Sequence, residues 1–309
     1  LYTVHGGGKS LRKESIGFAA VVAAAFLWGV GGSVAKFLFN QAVSPFLLVK
    51  IRLTLSFLLL TVGAACYNRQ LLVISRRDIP YFAVLGMGGM AFMQFSYFFT
   101  ISLTNVATAV FLQYMSPVLM AAYAVLWEKE KLTFRRTGAV LLAMLGGLFI
   151  LLNSGGVAGL SWMGIISGVG SAFFMAFCTI YGRRAVRNYH PLTAAVYSFG
   201  FGAVMWWILL PGLWEPGSIT VEHWYMFWYV AVFSTVLPFL LYFTGMRFLP
   251  PTSVGIIACL EPAIAAAVAY GALGEKMGLL QIVGGSFVLA AVLLIQTESK
   301  KPEENKNAA

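Results

Sequence analysis

Charge is what this sequence has least of. Acidic and basic side chains make up 10% of its 309 residues, against about 25% in a soluble domain. That is too little polar surface to wet a globule, so a soluble two-domain reading of the length is excluded. Histidine is scarce, and His5, His190 and His223 all lie outside the apolar interior. No HExxH pair, no serine elbow and no paired aspartates occur within a run. Metal catalysis needs several ligands together, so the expectation is no enzyme, no metal and no cofactor. Cysteine is sparse and odd in number, with Cys66, Cys178 and Cys259 each inside an apolar run. That pattern implies small packing residues and no disulfide framework. Gly6-Gly7-Gly8-Lys9-Ser10 looks like a phosphate loop, but the required first glycine would fall on Thr3 and no strand precedes it. No cleavable signal peptide is evident, and the chain does not begin with Met.

What is present is apolar. The chain is 60% hydrophobic with a mean hydropathy of +0.82. A membrane-spanning helix takes about 20 apolar residues. Ten such spans are expected, at 15–36, 45–66, 79–102, 106–127, 136–153, 161–182, 192–211, 223–246, 251–272 and 279–297. The net charge of +10 would suggest nucleic acid in a soluble protein. Here the basic residues flank apolar runs, and no nucleic-acid motif occurs. Seventeen of the 21 Lys and Arg residues lie at 9–13, 69–77, 129–136, 183–187, 247 and 300–306, which ten alternating spans put on one side. The other four are Lys36 and Lys276 at span ends and Lys50 and Arg52 inside the second span. The positive-inside rule then places both termini in the cytoplasm of a multi-pass plasma (inner) membrane protein.

The chain also repeats itself. Residues 105–131 recur as 250–276 at an offset of 145, matching Pro117 to Pro262, Glu130 to Glu275 and Lys131 to Lys276. Tyr97-Phe98 matches Tyr242-Phe243 at the same offset, and Gly17 and Pro45 match Gly164 and Pro191 at 147 and 146. Spans one to five thus repeat as spans six to ten. Five is odd, so the second copy enters the membrane from the opposite face. The expected fold is an all-α integral membrane protein of ten transmembrane helices in two inverted five-helix repeats. The expected divisions are 1–14, a cytoplasmic segment; 15–153 and 161–297, the repeats; and 298–309, a charged cytoplasmic tail without order. Inverted halves pack in two nearly equivalent ways, one open to each side, with a substrate site near the midplane. The alternatives are a duplication kept for packing, or a channel.

Several residues follow an order that resembles a known family. Trp28-Gly29 precedes Lys36 by eight residues, Pro45 and Arg52 follow, then Tyr97, Ala107, Ala109, Pro117 and Glu130. The second half carries Tyr242, Leu260-Glu261-Pro262, Gly274-Glu275 and Gly284-Gly285. The chain resembles the EamA-type branch of the drug/metabolite transporter superfamily over residues 15 to 297. The resemblance implies a carrier with a central cavity formed by spans 1, 3, 4, 6, 8 and 9. It implies an exporter, exchanger or proton-coupled carrier, without choosing among amino acids, nucleotide sugars, choline and drugs. One departure is that 130 to 138 is one residue shorter than 275 to 284.

Glu261 is the sharpest candidate for chemistry, the one carboxylate well inside a span. A buried carboxylate there is costly, and it suits a proton, a cation or a cationic substrate group. The alternative is a neutral Glu capping carbonyls freed by Pro262. Arg52 either binds a substrate carboxylate, snorkels outward or ties two helices. Gln94 with Tyr97 on the third span, and Gln113 with Tyr114 before Pro117, offer amides and hydroxyls suited to a polar cavity. Interhelical hydrogen bonding is the competing role. Trp28 lies away from both interfaces and, with Tyr97, Tyr114 and Tyr242, has the composition of an aromatic cage for a quaternary ammonium. Core packing is the plain alternative. The partners expected are a small-molecule substrate and the lipid bilayer, with no nucleic acid, in a monomer or homodimer. Two carriers remain open: one of an amino-acid-like polar metabolite, one of an organic cation.

Overall fold

The structure, a computed structural model, describes residues 7–31, 33–130, 133–153, 161–212, 219–273 and 278–299. Ten helices among them are long and apolar enough to cross a membrane. They are span 1 (Arg12–Val30), span 2 (Pro45–Tyr67), span 3 (Arg76–Leu103), span 4 (Val106–Leu126) and span 5 (Phe134–Asn153). The second half supplies span 6 (Trp162–Asn188), span 7 (Pro191–Leu209), span 8 (Val221–Phe248), span 9 (Pro251–Val268) and span 10 (Leu279–Thr297).

Local chemistry sets most of the starts. Ser44 caps span 2 by accepting from the Leu47 amide at 3.2 Å, with Pro45 in the first turn. Asn105 caps span 4 through the Thr108 amide at 2.8 Å, and Ser161 caps span 6 through the Gly164 amide at 3.0 Å. Each satisfies an amide that the helix leaves without a partner. One boundary differs from expectation. Helix is described over Gly7–Gly31 and again over Ser33–Asn40, with Gly32 outside the described residues. Span 6 runs to Asn188 instead of stopping at 182. Arg183, Arg184 and Arg187 end the apolar run without ending the helix, because cations suit a helix C-terminus. Glu275 and Lys276, the repeat partners of Glu130 and Lys131, lie outside the described residues, as does Lys131.

The two inverted repeats pack by equivalent contacts. Span 1 packs on span 8 as span 6 packs on span 3, and span 1 meets span 9 as span 6 meets span 4. Spans 2 and 7, and spans 5 and 10, pair with their own counterparts. Small residues permit the closest approaches. A Cβ on Gly17 would lie 2.9 Å from Phe248 Cβ, and one on Gly164 would lie 2.8 Å from Thr104 Cγ2 and 3.6 Å from Leu103 Cβ. Phe248 and Leu249 are the repeat partners of Leu103 and Thr104. Spans 5 and 10 cross where a Cβ on Gly146 or Gly284 would sit 2.6 Å from the other's carbonyl oxygen.

The irregularities repeat as well. Span 4 breaks between Gln113 and Ser116, and span 9 breaks at Cys259, the repeat partner of Tyr114. Pro117 and Pro262 then sit in the first turn of the second segments, where a missing N–H costs little. Span 3 carries a π-helical stretch at Val84–Ala91, and span 8 carries one at Val232–Val236. The two overlap at the 145-residue offset. Wider turns of this kind are common at functional sites.

Candidate functional site: a cavity between the repeats

A cavity of about 60 Å³ is lined from the break in span 4, the π turn of span 8 and the start of the second segment of span 9. A water needs about 10–15 Å³ by this measure, so it holds about four to six waters. Its lining includes Trp28, Arg52, Gln94, Tyr97, Gln113, Tyr114, Ser234 and Glu261. Spans 1, 3, 4, 6, 8 and 9 all contribute, as expected of the cavity. Span 2 adds Arg52, and the short helix Ser33–Asn40 adds Ala35.

Glu261 stands at the start of the second segment of span 9 and is 9% exposed. Its Oε2 accepts a hydrogen bond from the Tyr114 hydroxyl at 2.5 Å. The bond joins the break in span 4 to the break in span 9, across the repeat interface. The carboxyl therefore does not cap carbonyls freed by Pro262; it reaches the other half.

Arg52 is 3% exposed and points inward, so it does not snorkel. Its Nη2 donates to the Ser234 carbonyl at 2.6 Å and its Nε donates to Thr235 Oγ1. The guanidinium also lies over the Phe98 ring, 4.6 Å from its centre. Geometrically it ties span 2 to span 8 while facing the cavity. The acceptor has a definite origin. Pro238 has no N–H to give to the carbonyl four residues back, which is that of Ser234. Trp28 uses the same oxygen, its indole N–H donating at 3.2 Å. Sequence reasoning missed Ser234 and Thr235, yet Pro238 was the available signal, since a proline inside a helix frees the carbonyl at i−4. Lys50, one turn-half before Arg52, is fully buried; its Nζ donates to the Leu210 carbonyl at 2.8 Å and lies over the Trp207 ring. It thus caps the end of span 7.

Gln94 is 3% exposed, and its Nε2 has no partner among the described residues. Gln113 and Tyr97 line the same space. Tyr242 is placed differently from expectation. It is buried behind Trp28, 5.5 Å between ring centres, with its hydroxyl 2.7 Å from Thr179 Oγ1, and it does not line the cavity. The four-sided aromatic cage therefore lacks one wall. Trp28 itself is held edge-on to Phe239 at 5.2 Å. On its far side a second cavity of about 220 Å³ is lined by Val106, Phe111, Ile150, Ala265 and Gln281 among others. Trp28 and Glu261 line both spaces.

The sequence profile of the EamA-like transporter family matches residues 15–152 and again 162–297. The chain belongs to the EamA-like transporter family. It is a membrane transporter built of ten apolar helices. It is 30% identical to an uncharacterized transporter of Archaeoglobus fulgidus, over 91% of this chain and 97% of that one. It is 28% identical to the uncharacterized inner membrane transporter YicL of Salmonella typhimurium, over 92% and 96%. The threonine/homoserine exporter RhtA of Escherichia coli K12 is 27% identical, over 96% and 99%. A chain solved by crystallography superposes with a TM-score of 0.75 at 17% identity, over 94% of this chain and 99% of that one, which shows a shared fold.

Proposed function

We propose that this EamA-like transporter is an alternating-access, secondary-active exporter or exchanger of a small zwitterionic metabolite of the amino-acid class. One observation carries the reading. A guanidinium, Arg52, and a carboxyl, Glu261, line one cavity without forming an ion pair with each other. Opposite charges held apart in a low-dielectric space attract each other strongly across it. A ligand bearing both an ammonium and a carboxylate satisfies the two at once. In this reading Arg52 takes the carboxylate, Glu261 takes the ammonium or a coupling proton, and Gln94, Tyr97, Gln113 and Tyr114 orient the remainder. Trp28 closes one wall. The name of the RhtA relative, a threonine/homoserine exporter, supports the same class and the direction of transport.

The cavity holds only a few waters, so binding requires the halves to part, and the duplicated breaks are the places where they bend. The side holding seventeen of the basic residues is cytoplasmic, and both termini lie there in the plasma membrane. One chain contains a complete cavity, so a monomer suffices, whether or not copies pair. The organic-cation reading has less support: Tyr242 is absent from the lining and Arg52 places a positive charge inside it.

The test is a thermal-shift screen of purified protein against amino acids, followed by flux in proteoliposomes with Glu261→Gln beside the wild type. The amide keeps an acceptor for Tyr114 but loses the charge. A hydrogen bond to a charged group contributes about 1.5–3 kcal/mol, so affinity for a zwitterion should fall about 10- to 150-fold. Unchanged affinity, flux and pH dependence in that variant would show that Glu261 is structural and remove the proposal's basis.

A further inference from the structure

Away from that cavity, a basic pocket sits where span 1 begins and spans 6 and 8 end. Lys13, Glu14, Arg187, Arg247 and Phe248 line this hollow of about 330 Å³. The three cations come from three helices and are exposed. None has an ion pair or hydrogen bond among the described residues. Arg136 and Arg184 differ in this respect, pairing with Glu130 and Asp78 at 3.0 and 3.3 Å. Packing brings the elements together: Gly17 lets Phe248 close onto span 1, so the start of span 1 lies against the end of span 8. Three cations against the single carboxylate of Glu14 leave the hollow net positive, and an anion placed there is attracted.

Farther along span 1, Phe18, Ala19, Val22, Ala23, Phe26 and Leu27 form an open apolar strip on that helix, almost all of it carbon. Phe18, Val22 and Phe26 are four residues apart, and Phe18 lies one turn beyond Glu14 of the pocket. Leu27 is fourteen residues beyond Lys13, about 21 Å along the axis. Half of a bilayer including its headgroups is about 20–22 Å. A strip of this length, from below the cations toward the midplane, matches one acyl chain of one leaflet.

We propose that Lys13, Arg187 and Arg247 bind the phosphate of an anionic phospholipid whose acyl chain lies along Phe18–Leu27. The chemistry is that of basic pockets between helix ends, where the phosphate accepts several charged hydrogen bonds. The site is separate from the central cavity and does not depend on what that cavity carries.

The full chain in detergent is stripped of lipid and titrated with phosphatidylglycerol, with phosphatidylcholine of the same chains, or with inorganic phosphate. Bound lipid is counted by native mass spectrometry, and stability is followed by thermal shift. Phosphatidylglycerol should bind at one copy per chain, at least tenfold more tightly than phosphatidylcholine. Arg187→Gln with Arg247→Gln should weaken it about thirtyfold, and Lys13→Gln alone about fivefold. Ala19→Trp, which puts a bulky ring on the apolar strip and leaves the cations, should also reduce retention. Equal retention of the two lipids overturns the proposal. So does a lipid-free melting temperature equal to wild type combined with undiminished binding in the double variant. If the double variant does not fold, Lys13→Gln decides on the same terms. Displacement of the lipid by millimolar phosphate would mark a free-anion site and equally overturn it.

Discussion

Arg52 ties span 2 to span 8 and, in the proposed reading, also holds the substrate carboxylate; Arg52→Gln separates the two roles. Two of the five guanidinium N–H groups are used, on the Ser234 carbonyl and Thr235 Oγ1. The remaining three are available to a ligand in the cavity. The variant orphans neither acceptor: the Ser234 carbonyl keeps the Trp28 indole at 3.2 Å, and the Thr235 hydroxyl still donates to Val230 at 2.8 Å. Removing a buried charge also relieves a desolvation cost of several kcal/mol, which offsets the lost bonds and the lost attraction to Glu261. Stability should therefore change little. Ligand binding should change a great deal, but only for ligands with a carboxylate. Losing a charge-assisted bond of about 1.5–3 kcal/mol should weaken the amino acid that the screen returns about 10- to 150-fold. The matching amine without the carboxylate should bind both proteins equally. Arg52→Lys should recover part of the amino-acid affinity, since it restores the charge without the fork. The assay is competition against a radiolabelled amino acid on purified protein, with melting temperature measured in parallel. Equal weakening of the amino acid and the amine would refute the carboxylate assignment and leave Arg52 as a helix tie alone.

The other expectations concern packing and the polar lining. Gly146→Leu drives a side chain into the Gly284 carbonyl, so spans 5 and 10 must part. A destabilisation of about 1–3 kcal/mol should appear as a lower melting temperature, and an unchanged one would contradict the crossing. Tyr242→Phe loses its bond to Thr179, at a cost of about 0.5–1.5 kcal/mol in stability. Its affinity for substrate should match wild type, and a raised KM without a stability loss would return Tyr242 to the binding surface. Gln94→Leu removes a buried donor that has no partner among the described residues. Leaving such a group unsatisfied costs about 1–3 kcal/mol, so the ligand-free protein should be no less stable while substrate affinity falls. A loss of stability with full affinity would show that Gln94 is a packing group.

Much of the architecture is legible without coordinates because hydropathy and repetition are properties of the chain in one dimension. Scarce charge implies a membrane, run lengths count the spans, and the 145-residue offset aligns the halves. The matched helix breaks at Tyr114 and Cys259 follow from prolines visible in both copies. Glu261 stands out for the same reason, since a carboxylate within an apolar run is conspicuous wherever its side chain points. Tertiary structure decided what depends on the rotation of each helix about its own axis. Tyr97 and Tyr242 are repeat partners, yet one lines the cavity and the other is sealed behind Trp28. Arg52 turned inward because Pro238 had freed a carbonyl for it on a helix about 180 residues away. A run of apolar residues places a polar group at a depth in the membrane. Only the packing of neighbouring helices selects the partner it meets at that depth, because a buried polar group stays where its hydrogen bonds are satisfied.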